Sequence, residues 1–191
     1  VDEDPYLDPV SGVLRNNLGL TDPIECDFAE TRLSTMRVEQ LALAPLPGLY
    51  DLAHLRAFHR RIFGDFYPWA GEIRRVNIGK SALFAAWRQI EPYAIGVFDD
   101  LKKERYLRGL PRDAFLDRFT HYFAEVNAVH PFREGNGRAQ RAFFRQLARE
   151  AGWRVGVHTL DRVAFTDACE QSLTSSNDSL RDLFDTVLSV A

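Results

Sequence analysis

The sequence predicts an all-α domain carrying one short β-hairpin, and three observations carry that expectation. Apolar residues recur at three- and four-residue spacing over most of the chain, the pattern of helices with one buried face. The stretch Glu72 to Phe84 instead gathers the β-branched residues Ile73, Val76 and Ile78 beside turn formers, which suits a short hairpin. No repeat, low-complexity block or linker interrupts the 191 residues, so a single core of ordinary size is expected.

The elements follow in order. A loose entry runs to about Pro9, then a helix over Gly12 to Leu18 and a turn through Gly19, Asp22 and Pro23. Ala29 to Leu43 reads as a helix ended by Pro45, Pro47 and Gly48. Asp51 caps the next, which carries Leu52, Leu55, Phe58, His59, Ile62 and Phe63 and stops at Gly64. After the hairpin, whose turn falls at Asn77 and Gly79 to Ser81, helical spacing returns from Arg88 to Leu107 with Pro92 tolerated in the first turn. Ala114 to Val129 places Phe115, Leu116, Phe119, Tyr122, Phe123 and Val126 on one face, and Pro131 breaks it. The pattern resumes after Gly137 through Phe143, Phe144, Leu147 and Ala148 to Gly152. Two further helices are expected, Leu160 to Leu173 behind a Thr159 cap and Leu180 to Val190.

Between two of these helices lies the run that carries chemistry, His130 to Arg141. A helix start presents N–H groups without intrahelical partners and a partial positive charge, so it takes anions readily. Gly135 and Gly137 let a ligand approach the backbone, and Asn136 between them can donate and accept. Arg138 and Arg141 share a helix face, where cations near an N-terminus are unfavourable by several tenths of a kcal/mol unless an anion lies between them. Their planar forks match phosphate oxygens. Glu134 beside a phosphate implies a bridging Mg²⁺. His130 can take a proton from a hydroxyl, a step contributing about 10²- to 10⁴-fold. Zinc held by His130 and Glu134 alone is disfavoured, because Pro131 intervenes and no third ligand is near. Phe132 reads as an apolar anchor for the loop.

This run resembles the signature of the Fic domain, H-x-F-x-[D/E]-G-N-G-R-x-x-R, at every specified position. Phe66 to Arg74 is similar to the segment leading into the Fic flap, and Val13 to Asp22 to the start of many bacterial Fic domains. The resemblance implies one Fic domain over residues 1–191, with a core of about 49–175, a motif loop at 130–141 and a flap at about 72–84. It implies AMP transfer from ATP to a Ser, Thr or Tyr hydroxyl of a target protein, with release of pyrophosphate. In that scheme His130 is the base and Glu134 holds Mg²⁺. Gly135, Asn136 and Gly137 cradle the α-phosphate, while Arg138 and Arg141 orient the other two. Ile73, Arg74, Arg75, Val76, Asn77, Ile78, Gly79 and Lys80 form the target-docking flap, although a hairpin merely covering a core edge is the plainer alternative.

The intact second arginine favours adenylylation over related group transfers. Thr35 to Glu39 and Thr166 to Glu170 match the first part of the family's inhibitory helix pattern but end in Gln, so a separate small antitoxin-like partner is expected instead. A Fic-shaped nucleotide-binding or docking module without transfer is the alternative function.

Composition sets outer limits. Hydrophobic residues at 46% and charged residues at 27% suit a globular domain. A net charge of -3 argues against direct nucleic-acid binding. Cys26 and Cys169 are too few and too far apart for a disulfide framework. No apolar run reaches membrane-spanning length, and the acidic opening Asp2, Glu3, Asp4 lacks a signal-peptide pattern. A cytoplasmic protein is expected, or one translocated into a host if it belongs to a secreted effector. The opening Val1, with no Met before it, suggests a domain cut from something longer.

Overall fold

Capping side chains decide where three of the helices begin. The computed structural model describes residues 4–79 and 84–191. Helix α1 spans Pro23–Leu43, because Asp22 Oδ1 accepts from the N–H groups of Ile24 and Glu25 and Pro23 fits the first helical position. It therefore starts six residues before the Ala29 that periodicity alone suggests. Asp51 caps α2, Leu52–Phe63, through the His54 N–H. After a 3₁₀ turn at Trp87–Gln89 come α3, Ile90–Lys103, a second 3₁₀ turn at Arg105–Leu107, and α4, Arg112–Val129. Helix α5 spans Asn136–Glu150, α6 Arg162–Gln171 and α7 Asp178–Val187. Asp161, rather than Thr159, caps α6 by accepting from Ala164 N–H.

One expectation is corrected. Gly12 to Leu18 is not a helix. Asp8 Oδ1 takes the N–H groups of Val10 and Ser11, Asn16 Nδ2 donates to the carbonyls of Leu14 and Leu20, and Leu7 pairs with Leu14 in an isolated bridge. Short polar side chains here offer the backbone partners that outcompete a helix. A small β element lies outside the expected hairpin. Strand β1, Trp153–Val155, pairs antiparallel with β2, Leu188–Val190, with Arg154 opposite Ser189. From Glu72 to Ile78 no residue lies in a strand and Gly79 forms an isolated bridge; the Arg74 N–H donates to Pro131 O, and the Tyr6 hydroxyl bridges Ile73 O and Arg75 N. Residues 80–83, with the turn expected at Lys80 and Ser81, lie outside the described residues.

Helices α4 and α5 form the centre. Phe143 on α5 meets Tyr50, His54, Phe58 and Phe98 on one side, while its neighbour Phe144 meets Phe119 and Phe123 of α4 on the other. Phe119 also touches Phe115 and, edge to face at 5.1 Å, Phe184 of α7. Each such ring contributes about 1.5–3 kcal/mol by burial, with roughly 0.5–1.5 more from favourable ring geometry. No helix among the described residues is long and apolar enough to cross a membrane. The packing rigidly fixes the end of α4 against the start of α5, and the motif loop joins those two ends.

Phe119, with no exposed surface, gives a direct test of this core. Phe119→Ala is expected to lower unfolding free energy by about 3–5 kcal/mol in urea titration. A loss under about 1 kcal/mol would contradict the packing described.

Candidate active site

Helix α4 ends at Val129, and His130 caps it in the left-handed conformation, φ 44°, with its N–H donating to Val126 O at 3.1 Å. Few residues other than glycine adopt that conformation without surrounding support. The support is Arg74, which is almost fully buried and whose Nε donates to His130 O at 2.8 Å. Its other nitrogens donate to Val76 O at 2.7 Å and Ala85 O at 2.6 Å. One guanidinium thus ties both ends of the 76–85 segment to the end of α4.

The loop that follows is clamped twice. The Phe132 N–H donates to Asn136 Oδ1 at 2.8 Å, and Asn136 Nδ2 donates back to Phe132 O at 2.7 Å. His59 on α2 stacks on the Phe132 ring at 3.9 Å. Its Nδ1 accepts from Gly71 N–H at 2.8 Å, so its proton sits on Nε2 and is donated to Glu134 O at 2.8 Å. Burial holds the His59 pKa down to about 4. Gly135 turns the chain into α5 at φ 80°, where a Cβ would stand 2.4 Å from the Phe63 ring.

His130 has the opposite tautomer. Its Nδ1 lies 3.2 Å from Asn127 O, which can only accept, so the proton is on Nδ1 and the Nε2 lone pair has no partner among the described residues. Phe84 stacks on the ring at 3.7 Å. Burial, aided by the nearby Arg74 charge and opposed by the Asn127 bond, lowers its pKa to about 4. The imidazole is neutral at pH 7 and able to accept a proton.

Two clefts meet at this loop. One, of about 290 Å³, is lined by His130, Phe84, Ile78 and Gly79; the other, of about 740 Å³, by Arg138, Arg141, Glu30 and Phe165. Glu134, Gly135 and Gly137 line both. The first-turn N–H groups of α5 have no intrahelical partners and carry the positive end of its dipole. Arg138 Nη1 donates to Glu30 Oε2 at 2.8 Å and Ser34 Oγ at 2.9 Å, and its Nη2 lies 3.7 Å from Glu134 Oε1. Arg141 sits over Phe165 and has no carboxylate partner among the described residues. Glu134 Oε1 accepts from Gly135 N–H at 2.9 Å, and its side chain is half exposed. No group of three metal-ligating side chains exists among the described residues, so a cation here would need oxygens from a bound phosphate as well as Glu134. Such sharing is what Mg²⁺ ordinarily does, and the residues fit it.

A sequence model of the Fic/DOC family matches residues 49–148, which include His59, Arg74 and the whole loop. The chain belongs to the Fic/DOC family. It is 40% identical over 181 residues to protein adenylyltransferase VbhT of Bartonella schoenbuchensis, covering 94% of this chain but 38% of that protein. It is 34% identical over 189 residues to the probable protein adenylyltransferase Fic of Escherichia coli strain K12, covering 98% of this chain and 94% of the relative. Among solved structures, the BepC protein of Bartonella tribocorum, with bound AMPPNP, superposes with a TM-score of 0.91 at 25% identity, over 97% of each chain. The N-terminal Fic domain of a putative cell filamentation protein from Bartonella quintana, with bound ADP, has a TM-score of 0.90 at 26% identity, over 97% of this chain and 94% of that one.

Within this Fic/DOC domain the motif side chains converge, with two corrections. The Asn136 side chain is committed to Phe132, so only its backbone N–H can face a ligand. Arg74 is a buried tie rather than a docking residue; Ile73 and Val76 pack on the core, and of the expected flap Ile78 and Gly79 reach the His130 cleft. Lys80 lies outside the described residues. Glu39 is exposed and Glu170 borders the His130 cleft, and neither pairs with Arg141. Sequence reasoning passed over His59 and Glu30. A histidine at a core position of the α2 pattern was the available signal for the first; the second, 108 residues from Arg138, gave none.

Both site histidines bind protons more weakly folded than unfolded, where a pKa near 6.5 applies. Between about pH 6.5 and 4 the unfolded chain holds more protons, so stability is complete above that window and falls as pH drops through it. Buried His59 alone accounts for roughly 3 kcal/mol. Urea unfolding at pH 7, 5.5 and 4.5 should show the decline; constant stability would contradict the neutral histidines.

Proposed function

We propose that this chain is a protein adenylyltransferase, moving AMP from ATP to a Ser, Thr or Tyr hydroxyl of a target protein and releasing pyrophosphate. One observation carries the reading: the free Nε2 lone pair of a neutral His130 faces one cleft, while a helix N-terminus and two guanidiniums face the next, with Glu134 to Gly137 as their common wall. The names of the Bartonella schoenbuchensis and Escherichia coli relatives, and the adenine nucleotides bound in the two Bartonella structures, support it.

In this mechanism His130 Nε2 takes the acceptor proton as the hydroxyl oxygen attacks the α-phosphorus. The bond from that phosphorus to the bridging oxygen breaks, and pyrophosphate leaves. The N–H groups at the start of α5 stabilise charge growing on the α-phosphate, and Gly135 and Gly137 keep the approach open. Arg141 and Arg138 hold the β- and γ-phosphates. Glu134 would hold Mg²⁺, which neutralises phosphate charge when bound. Ile78 and Gly79 border the acceptor side, so we assign target registration to this end of the segment. We take residues 1–191 as one functional unit with a core of about 49–175. A carboxylate from a small antitoxin-like partner would complement Arg141, which lacks one here. The two free thiols, Cys26 and Cys169, suit a cytoplasmic site of action.

With α-labelled ATP, Mg²⁺ and a cell lysate, the wild-type chain is expected to label a protein band. His130→Ala should lose at least about 100-fold in transfer rate while still binding ATP. Bound ATP with no transfer by the wild type would indicate a nucleotide-binding module instead.

A further inference from the structure

A second charged cleft, of about 590 Å³, lies beside the segment that leads to the His130 cleft. Arg56 and Arg60 of α2 line it together with Arg75, Arg88 and the buried Arg74. Glu72 and Glu91 also line it. Five arginines against two glutamates leave the lining three charges positive in a chain whose net charge is -3. Arg60, Arg75 and Arg88 are exposed, and none of them is ion-paired among the described residues. The Arg88 guanidinium lies 4.1 Å above the Trp87 ring, and the Trp87 N–H donates to Asn77 Oδ1 at 2.9 Å, which ties this part of the lining to the flap. Unpaired cations gathered in a concavity focus the field there and attract an anionic partner.

We propose that this cleft docks an acidic stretch of the protein substrate, so that the enzyme selects hydroxyls flanked by Asp or Glu; the assignment rests on the transferase reading above. The position sets the spacing. Arg75 lines this cleft and Ile78 the His130 cleft, and extended chain between them spans at most roughly 10 Å. Acidic residues about three to six positions from the acceptor therefore reach the arginines. A peptide fits better than a nucleic acid. Glu72 and Glu91 stand among the arginines and repel a continuous phosphate backbone, whereas a mixed peptide can place neutral or basic residues there. The acidic net charge also opposes a polyanion at long range.

The test uses the full chain and a fluorescein-labelled peptide carrying a run of glutamates, followed by anisotropy. Arg75→Glu/Arg88→Glu changes only exposed side chains, and its thermal melt and ATP affinity serve as controls. The expected result is peptide binding by the wild type that weakens with salt and falls at least about tenfold in the variant, with ATP affinity unchanged. Equal peptide binding by the two proteins overturns the proposal. So does a single-stranded oligonucleotide of equal charge that displaces the peptide at a lower concentration than unlabelled peptide does, which would assign the cleft to nucleic acid. The α-labelled transfer assay separates the two readings. Wild-type transfer with equal peptide binding removes the docking cleft alone; charge-dependent peptide binding with no wild-type transfer removes the transferase and, with it, the role of the cleft in substrate choice.

Discussion

The site depends on one buried cation. Arg74 is 1% exposed, and among the described residues no carboxylate pairs with it. An uncompensated charge in such a place would be very unfavourable. The compensation comes from carbonyls: His130 O, Val76 O and Ala85 O accept from the guanidinium, and the first of these belongs to the C-terminus of α4, where the helix dipole is negative. Burial lowers the Arg74 pKa to about 10, which leaves the group charged at neutral pH. The same contacts hold the His130 backbone in its left-handed turn. A neutral side chain at position 74 would leave several carbonyls without partners at the point where the catalytic ring is anchored.

The rest of the loop is organised by dividing polar groups between holding and reacting. His59 and the Asn136 side chain spend their hydrogen bonds on the backbone of Gly71, Phe132 and Glu134. His130 Nε2, the first N–H groups of α5 and the guanidinium of Arg141 are left uncommitted among the described residues. Two histidines with lowered pKa values thus do different work, and the difference lies in which nitrogen carries the proton. Glu30 and Ser34 extend the division to α1 by fixing Nη1 of Arg138, a residue that lines the larger cleft. The cost of ordering these groups is met by an aromatic core that packs α2, α4 and α5 against one another.

Much of this was legible from residue pattern. Helical spacing located α2, α4 and α5, and the motif named His130, Glu134, Arg138 and Arg141, which the structure brings to adjoining clefts. Local hydrogen bonding explains what failed. Asp22 and Asp161 moved helix starts because a capping side chain outweighs periodicity, and Asn16 diverted a short helical pattern into a looped turn. Arg74 read as a docking residue because the family resemblance places residues 73–80 in the flap; its tie to the end of α4 rests on the His130 carbonyl, 56 residues away in the chain. Glu30 was silent for the same reason. Contacts between distant segments leave no periodic mark in the sequence.

The protonation pattern of His130 is the most direct test of this account. Imidazole ¹⁵N NMR on the full chain at pH 6 to 8 should show a single neutral ring with the proton on Nδ1 and a bare Nε2. A proton on Nε2, or an imidazolium within that range, would mean that the ring cannot accept from an incoming hydroxyl as placed, and the base assigned to the transfer would be wrong.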